Sequence, residues 1–402
     1  MYKRPLEGVK ILDLSQVLSA PFCGMLLADM GAQIIKVERP GGGDISRAYG
    51  PYINDISLYF CQYNRGKKGL AVDMRSEAGK RVIMDLVAGS DIVIENFKNG
   101  TLEKLGIGYE EMRKVNPKLI YGSISGFGTY GPLSHLPCMD IIAAARSGLV
   151  SQTGIDVPIK PGFSICDTWA GLHLARGLSM ALLNRQRTGE GMRVDVAMLD
   201  CAFYMCETPV LAHSMTGNFE KRTGNHDPAF APCGEFAASD GNAVIAVTRE
   251  AEWHALCEAL GLSRLIDDPR FRDNESRLRD RDSLTAEIEG VTASMGRHEI
   301  EEKLRGAGVP AAAVQTIAEF INDPRTRELD VVAEIDQPGV GGYTAVNTPI
   351  RFSKTPVNPS AEAPSFPGAH SVEVLAGLGY SRDKIDELLK GGAVHQSASE
   401  RV

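Results

Sequence analysis

Asp167 stands in Lys160-Pro161-Gly162-Phe163-Ser164-Ile165-Cys166-Asp167-Thr168-Trp169-Ala170-Gly171, immediately before a long apolar stretch of helical pattern. A carboxylate at a helix start accepts the first free amides and feels the positive end of the helix dipole, which favours its ionised form. Position alone therefore makes Asp167 an N-cap. A second set of side chains is cationic: Arg39, Arg65, Lys67, Lys68, Arg75, Lys98 and Lys104, each in or beside a turn. Taken singly, each reads as a solvated surface charge. Gathered at the carboxyl ends of parallel strands, they would suit phosphates.

Other chemistries fail at their specific tests. A dinucleotide site needs Gly-x-Gly-x-x-Gly directly after the first strand, where this chain has Ser15-Gln16-Val17-Leu18-Ser19-Ala20-Pro21. Gly66-Lys67-Lys68 lacks the preceding glycine and following hydroxyl of a P-loop. The eight cysteines, Cys23, Cys61, Cys138, Cys166, Cys201, Cys206, Cys233 and Cys257, form no Cys-x-x-Cys pair, and no His pair has zinc spacing. They read as reduced core thiols, and no metal is expected.

The elements that must position these residues alternate. A strand over Val9 to Leu14, a helix from Ala20 to Met30 with Ser19 as its cap and Gly31 as its stop, and a strand over Ala32 to Glu38 make a βαβ unit. Strands at Ile92 to Ile94 and Leu119 to Ser125 and helices at Glu77 to Ala88 and Tyr109 to Val115 continue it, followed by a helix over Thr168 to Arg187, a strand over Arg193 to Ala197 and a helix to about Met215. The pattern dissolves over Gly217 to Gly234 into a linker or active-site loop. The reading is α/β: a doubly wound, Rossmann-like parallel-sheet domain over 1–220 completed by 335–402, with a second, smaller α+β domain over 225–330. Glu334 to Pro367 reads as a crossing segment, Ser371 to Ala376 and Ser381 to Leu389 as helices, and Gly391 to Val402 as a frayed end.

At 402 residues the chain exceeds one hydrophobic core, which supports two domains. A net charge of −8 argues against a nucleic-acid partner. No apolar run approaches a bilayer span and none follows the first five residues as a leader would, so a cytoplasmic protein with no membrane partner is expected.

Several segments then carry a more specific reading. They are Pro5-Leu6-Glu7-Gly8-Val9-Lys10-Ile11-Leu12-Asp13-Leu14, Ala28-Asp29-Met30-Gly31-Ala32-Gln33-Ile34-Ile35-Lys36-Val37-Glu38-Arg39, Asp91-Ile92-Val93-Ile94-Glu95-Asn96-Phe97, Ser125-Gly126-Phe127-Gly128 with Gly131-Pro132, Asp167-x-x-x-Gly171, Arg187-Thr188-Gly189-Glu190-Gly191 and Val194-Asp195-Val196-Ala197. In this order, and over nearly its whole length, the chain resembles family III CoA-transferases, the CaiB/BaiF family.

The resemblance implies that Asp167 is a covalent nucleophile, attacking an acyl-CoA to give a mixed anhydride and then an aspartyl-CoA thioester that a second acid resolves. It implies CoA contacts at Leu18, Arg39, Val72, Asp73, Met74, Arg75, Asn96, Phe97, Lys98, Lys104, Pro137, Cys138, Met139 and Asp140, with Arg39, Arg75, Lys98 and Lys104 toward phosphates. Coenzyme A and acyl-CoA enter as substrates, with no permanently bound cofactor. Succinyl-CoA is the suggested donor, with Arg146, His226 or Arg249 meeting a second carboxylate. An interlocked homodimer with its active site at the domain and subunit boundary is also implied. A glutamine of the formyl-CoA:oxalate members is Leu18 here, and their glycine-rich loop has no counterpart between Gly217 and Gly241, which argues against oxalate. Two alternatives stay open. An α-methylacyl-CoA racemase would need a proton-transfer histidine where this chain has Met139, leaving only His135 nearby. A non-catalytic CoA-binding subunit would have no use for Asp167.

Overall fold

The computed structural model describes residues 4–217, 222–355, 357, 359 and 361–397. Residues 218–221 of the expected loop and 398–402 of the expected frayed end lie outside the described residues. The chain forms two compact units, one of Met1–Leu149, Pro161–Cys206 and Arg325–Val402, the other of Val150–Lys160 and Glu207–Pro324. The span 225–330 read from sequence leaves out the detached segment 150–160, which carries neither a strand nor a helix period.

The first unit runs β1 (Lys10–Asp13), α1 (Ser19–Asp29), β2 (Gln33–Glu38), α2 (Leu58–Asn64), β3 (Lys67–Val72), α3 (Glu77–Ala88), β4 (Ile92–Glu95), α4 (Thr101–Leu105), α5 (Tyr109–Val115), β5 (Ile120–Ser125), α6 (Asp140–Arg146), α7 (Ile165–Thr188), β6 (Met192–Ala197) and α8 (Met198–Tyr204). Six strands pair in parallel in the order β3-β2-β1-β4-β5-β6. This is the doubly wound α/β sheet expected from the alternation. Its central strands are buried on both faces, which is why β4 reads as an uninterrupted apolar run ending in Glu95. Helix α3 buries Val82, Ile83, Leu86 and Val87 against the sheet, and the Ser76 hydroxyl caps it by accepting from the Gly79 amide. Gly31 ends α1 at φ +102°, a conformation open to glycine and strained for other residues.

Three local expectations are corrected. Leu18, not Ser19, occupies the cap position of α1, and Ser19 is the first helical residue. Val394–His395 is not frayed: it adds an antiparallel edge to β3. The Gly- and Thr-rich stretch after Val331 folds as a hairpin of Val332–Gln337 and Gly341–Val346, because two glycines at the turn (Gly339 at φ +81°, Gly341 at φ +95°) let the chain reverse there.

The second unit contains α9 (Glu207–Thr216) and an antiparallel sheet of β7 (Cys233–Ala238), β8 (Gly241–Ala246) and β9 (Ala311–Ala313). Phe236, Ile245, Trp253, Leu256, Leu284, Ile288, Ile300 and Leu304 form its core, giving the expected α+β character.

Candidate active site

The strand order reverses between β1 and β4, and in such sheets ligands bind in the crevice beyond the carboxyl ends of the strands at that point. Two loops meet there, residues 14–19 after β1 and 96–100 after β4. Asn96 clamps them: its Oδ1 accepts from the Gln16 amide at 2.7 Å, and its Nδ2 donates to the Gln16 carbonyl at 2.8 Å and to Ser19 Oγ at 3.2 Å. Glu95 holds the second loop from within by accepting from the Phe97 amide at 2.7 Å. Burial, and secondarily the nearby Glu103, push the Glu95 carboxyl up to about 7.

Beneath the first loop lies a buried ionic floor. Asp13, at the end of β1, pairs with Lys67 at 2.8 Å; Lys36 pairs with Asp44 at 2.9 Å and lies 3.9 Å from Asp13. All four side chains are fully buried, and the charges balance. Burial opposes ionisation of Asp13, but the Lys36 and Lys67 ammonium groups outweigh it and hold the carboxyl below its ordinary value. The floor also sets the loop: Lys36 donates to the Ser15 carbonyl, and Asp44 Oδ1 accepts from the Val17 amide at 3.1 Å. Val17 sits at φ +66°, a strained conformation for a β-branched residue that this bond helps to hold.

Asp167 is the third residue of α7, not its cap; the cap position belongs to Ser164, whose side chain makes no capping bond. The carboxylate that takes the helix-start amides is Asp140, the first residue of α6. Its Oδ1 accepts from the Cys166 amide at 2.8 Å and the Asp167 amide at 3.2 Å. Asp167 itself accepts from the Ser19 hydroxyl, and Tyr59 and Tyr63 of α2 and Cys138 stand near enough to feel its charge. Burial first, and the Asp140 charge second, push the Asp167 carboxyl up to about 7, with the Ser19 bond opposing. The expectation that the helix start favours ionised Asp167 is thus reversed, because Asp140 already occupies that start. Close approach of α1 and α7 brings Ser19 to Asp167, and Gly171 permits it: a Cβ there would lie 2.4 Å from the Ser19 carbonyl oxygen. That explains the glycine four residues after Asp167.

The residues expected at CoA fall at the same end of the sheet. Arg39 follows β2, exposed, with its Nε donating to the Gly43 carbonyl at 3.1 Å. After β3, Asp73 accepts from the Arg75 amide at 3.0 Å, Met74 packs half-buried on the core and Arg75 is exposed, while Val72 is a core residue of the strand itself. Leu18 is buried, Phe97 half-buried, and Lys98 and Lys104 are exposed. Arg75, Lys98 and Lys104 have no ion-pair partner among the described residues. Beyond β5, Pro137 and Met139 are exposed and Cys138 is half-buried against Gly126.

Three cations are assigned elsewhere. Arg65 is buried on Asp29 at 2.8 Å, Lys67 belongs to the ionic floor, and Lys68 pairs with Glu373 on the surface. Of the candidates for a second substrate carboxylate, Arg146 stacks over Phe127 with 5.8 Å to the ring centre and Arg249 is tied to Glu252. His226 lines a cavity of about 490 Å³ in the second unit with Asp156, Glu235 and Glu289, an acidic setting unsuited to a carboxylate. The sequence marked Ser19 only as a cap and Lys67 only as a turn cation, and it left Tyr59, Tyr63 and the rest of the ionic floor unmarked. Asp13 and Lys36 lie inside segments already singled out, where a charge in the middle of an apolar strand pattern was the available clue.

The profile of CoA-transferase family III matches residues 6–371. The chain belongs to that family. Over 395 residues it is 38% identical to the succinyl-CoA:mesaconate CoA-transferase of Haloarcula hispanica, covering 95% of this chain and 98% of that protein. It is 35% identical to the succinyl-CoA:glutarate CoA-transferase of Mus musculus, covering 98% and 91%. A CaiB/BaiF family protein from Brucella suis superposes with a TM-score of 0.86 at 35% identity, over 94% of this chain and all of that one. The protein is accordingly an enzyme that transfers CoA. Among the described residues, no helix is long and apolar enough to cross a membrane and no His, Cys, Asp and Glu cluster is arranged to hold a metal ion.

Proposed function

We propose that this family III enzyme moves CoA between carboxylic acids through Asp167. The carrying observation is a half-buried carboxylate, raised to about 7 by burial and Asp140, at the switch point of the sheet. Ionised Asp167 attacks the donor thioester carbonyl, forming a mixed anhydride and expelling CoA thiolate. The thiolate attacks the aspartyl carbonyl, giving aspartyl-CoA thioester and free donor acid. The acceptor carboxylate then attacks that thioester, and the expelled thiolate closes the cycle at the acceptor carbonyl, regenerating Asp167. Each step exchanges one acyl bond for another of comparable energy, so the thioester is conserved.

For CoA itself, Arg39, Arg75, Lys98 and Lys104 meet phosphates, and Leu18, Val72, Asp73, Met74, Asn96, Phe97, Pro137, Cys138, Met139 and Asp140 border the chain. The placement of all but Val72, which ends β3 in the core, beyond the carboxyl ends of β1 to β5 supports this. Succinyl-CoA as donor and a dicarboxylic acid as acceptor follow the names of the mesaconate and glutarate relatives. A homodimer is supported by the stripe Leu172, Met180 and Leu183 along α7, each about half exposed, with Phe203 and Tyr204 beside it. A cytoplasmic setting is supported by eight free thiols. We retain the division into a large domain at 1–220 with 335–402 and a small one at 225–330 as the working frame for truncations.

The test incubates wild type and Asp167→Ala with acyl-CoA donors and free acids, following new acyl-CoA species by mass spectrometry. Transfer that vanishes in the variant, with an adduct on Asp167 in the wild type, is the expected result. Solvent deuterium entering an α-carbon without transfer would replace this reading with the racemase one.

A further inference from the structure

The start of α7 is an unusual place for two carboxylates. The first amides of a helix have no partner within it, and a carboxylate at the third position is well placed to receive them or to be stabilised by the dipole. Here Asp140 arrives from α6 and takes the Cys166 and Asp167 amides through one oxygen, at 2.8 and 3.2 Å. Two bonds to amides make Asp140 the acceptor at this helix start. Asp167, left without those amides, meets the Ser19 hydroxyl, whose oxygen accepts from Asn96 Nδ2 at 3.2 Å.

We propose that Asp140 is a positioning residue of the transfer reaction. It occupies the helix start that would otherwise bind and quiet the Asp167 carboxylate, and it faces that carboxylate with a like charge, keeping it basic and free to attack. This rests on the reading of Asp167 as nucleophile. It also gives Asp140 a role distinct from the CoA contact implied by resemblance.

The other titratable groups facing Asp167 do not supply this charge. Tyr59 and Tyr63 from α2, Cys138 from the loop before α6 and Cys166 on α7 are all shifted upward, chiefly by burial, and stay neutral near pH 7. Asp140 is the charge acting on Asp167, and burial and Asp140 together raise it to about 7.

Asp140→Asn tests this, because its side-chain oxygen can still accept both amides while the charge is gone; Asp140→Ser supplies a second neutral cap should the first variant fold poorly. The ionisation midpoint of Asp167 is read directly from ¹³C-labelled aspartate carboxyl resonances, assigned with Asp167→Asn. We expect the midpoint to fall by about one pH unit, the acid limb of kcat/KM to move with it, and kcat at pH 8.5 to fall about three- to tenfold with KM for acyl-CoA within about twofold. A midpoint that stays in place in a folded variant overturns the assignment, as does a rise in KM with kcat held, which would leave Asp140 a CoA contact and nothing more. The resonance measurement needs no turnover, so absence of CoA exchange in the wild type sinks the Asp167 mechanism without touching this result.

Discussion

Lys67→Met removes one ammonium while keeping an unbranched stem of similar length. Lys67 Nζ serves three buried acceptors beneath the 14–19 loop: Asp13 Oδ2 at 2.8 Å, the Pro21 carbonyl at 2.9 Å and Asn64 Oδ1 at 3.0 Å. Two orphaned neutral acceptors cost about 1 kcal/mol each and an orphaned buried carboxylate about 2–3 kcal/mol. The expected loss is therefore about 4 kcal/mol, inside the roughly 3–5 kcal/mol range for breaking a buried ion pair. Lys36, 3.9 Å away, is the remaining countercharge to Asp13. A chain of two units need not unfold in one step, so the probe must be local. Trp169 lies on α7 of the first unit and Trp253 in the core of the second, and they are the only tryptophans. Fluorescence in a Trp253→Phe background therefore follows the first unit alone through a urea titration. A loss under about 1 kcal/mol would refute the reasoning, since it would mean that water reaches all three acceptors. Adding Asp13→Asn to Lys67→Met should recover at least about 1 kcal/mol relative to the sum of the single changes, because the stranded charge is then gone.

Three further outcomes are expected. Transfer activity should rise with pH through an acid limb near 7, because Asp167 attacks only when ionised and its carboxyl is raised to about 7; a limb near 4 in the kcat/KM profile would contradict the site. Glu95 is also raised to about 7, so the folded state holds its proton where the unfolded state has lost it, and stability should fall as pH rises from about 4.5 to 7. Glu95→Gln removes that slope, so the stability of wild type relative to the variant should drop by about 2 kcal/mol between pH 5.5 and 8 in urea titrations; parallel pH curves would be evidence against it. Gly171→Ala places a methyl group against the Ser19 carbonyl and Phe22, at 2.4 and 2.9 Å, and should cost about 2–3 kcal/mol together with most of the activity, measured by melting and exchange assays.

The strand and helix alternation, the Gly31 stop and the boundaries of α3 and α5 were legible from sequence because local burial period and backbone freedom set them. The order of segments around Asp167 also marked it as the candidate nucleophile. What a side chain meets after the chain has crossed over the sheet is not written locally. Lys67 and Arg65 read as surface cations, yet Lys67 turns into the floor beneath the first loop, because β3 lies beside β2, and Arg65 is buried on Asp29. Asp167 read as a cap because its neighbours in sequence predict a helix start; Asp140, 27 residues earlier, reaches that start only because α6 packs against α7. Ser19 and Asn96 are likewise 77 residues apart and meet only at the reversal of strand order. Period and propensity act over a few residues, whereas the partners that tune a buried carboxylate are chosen by topology.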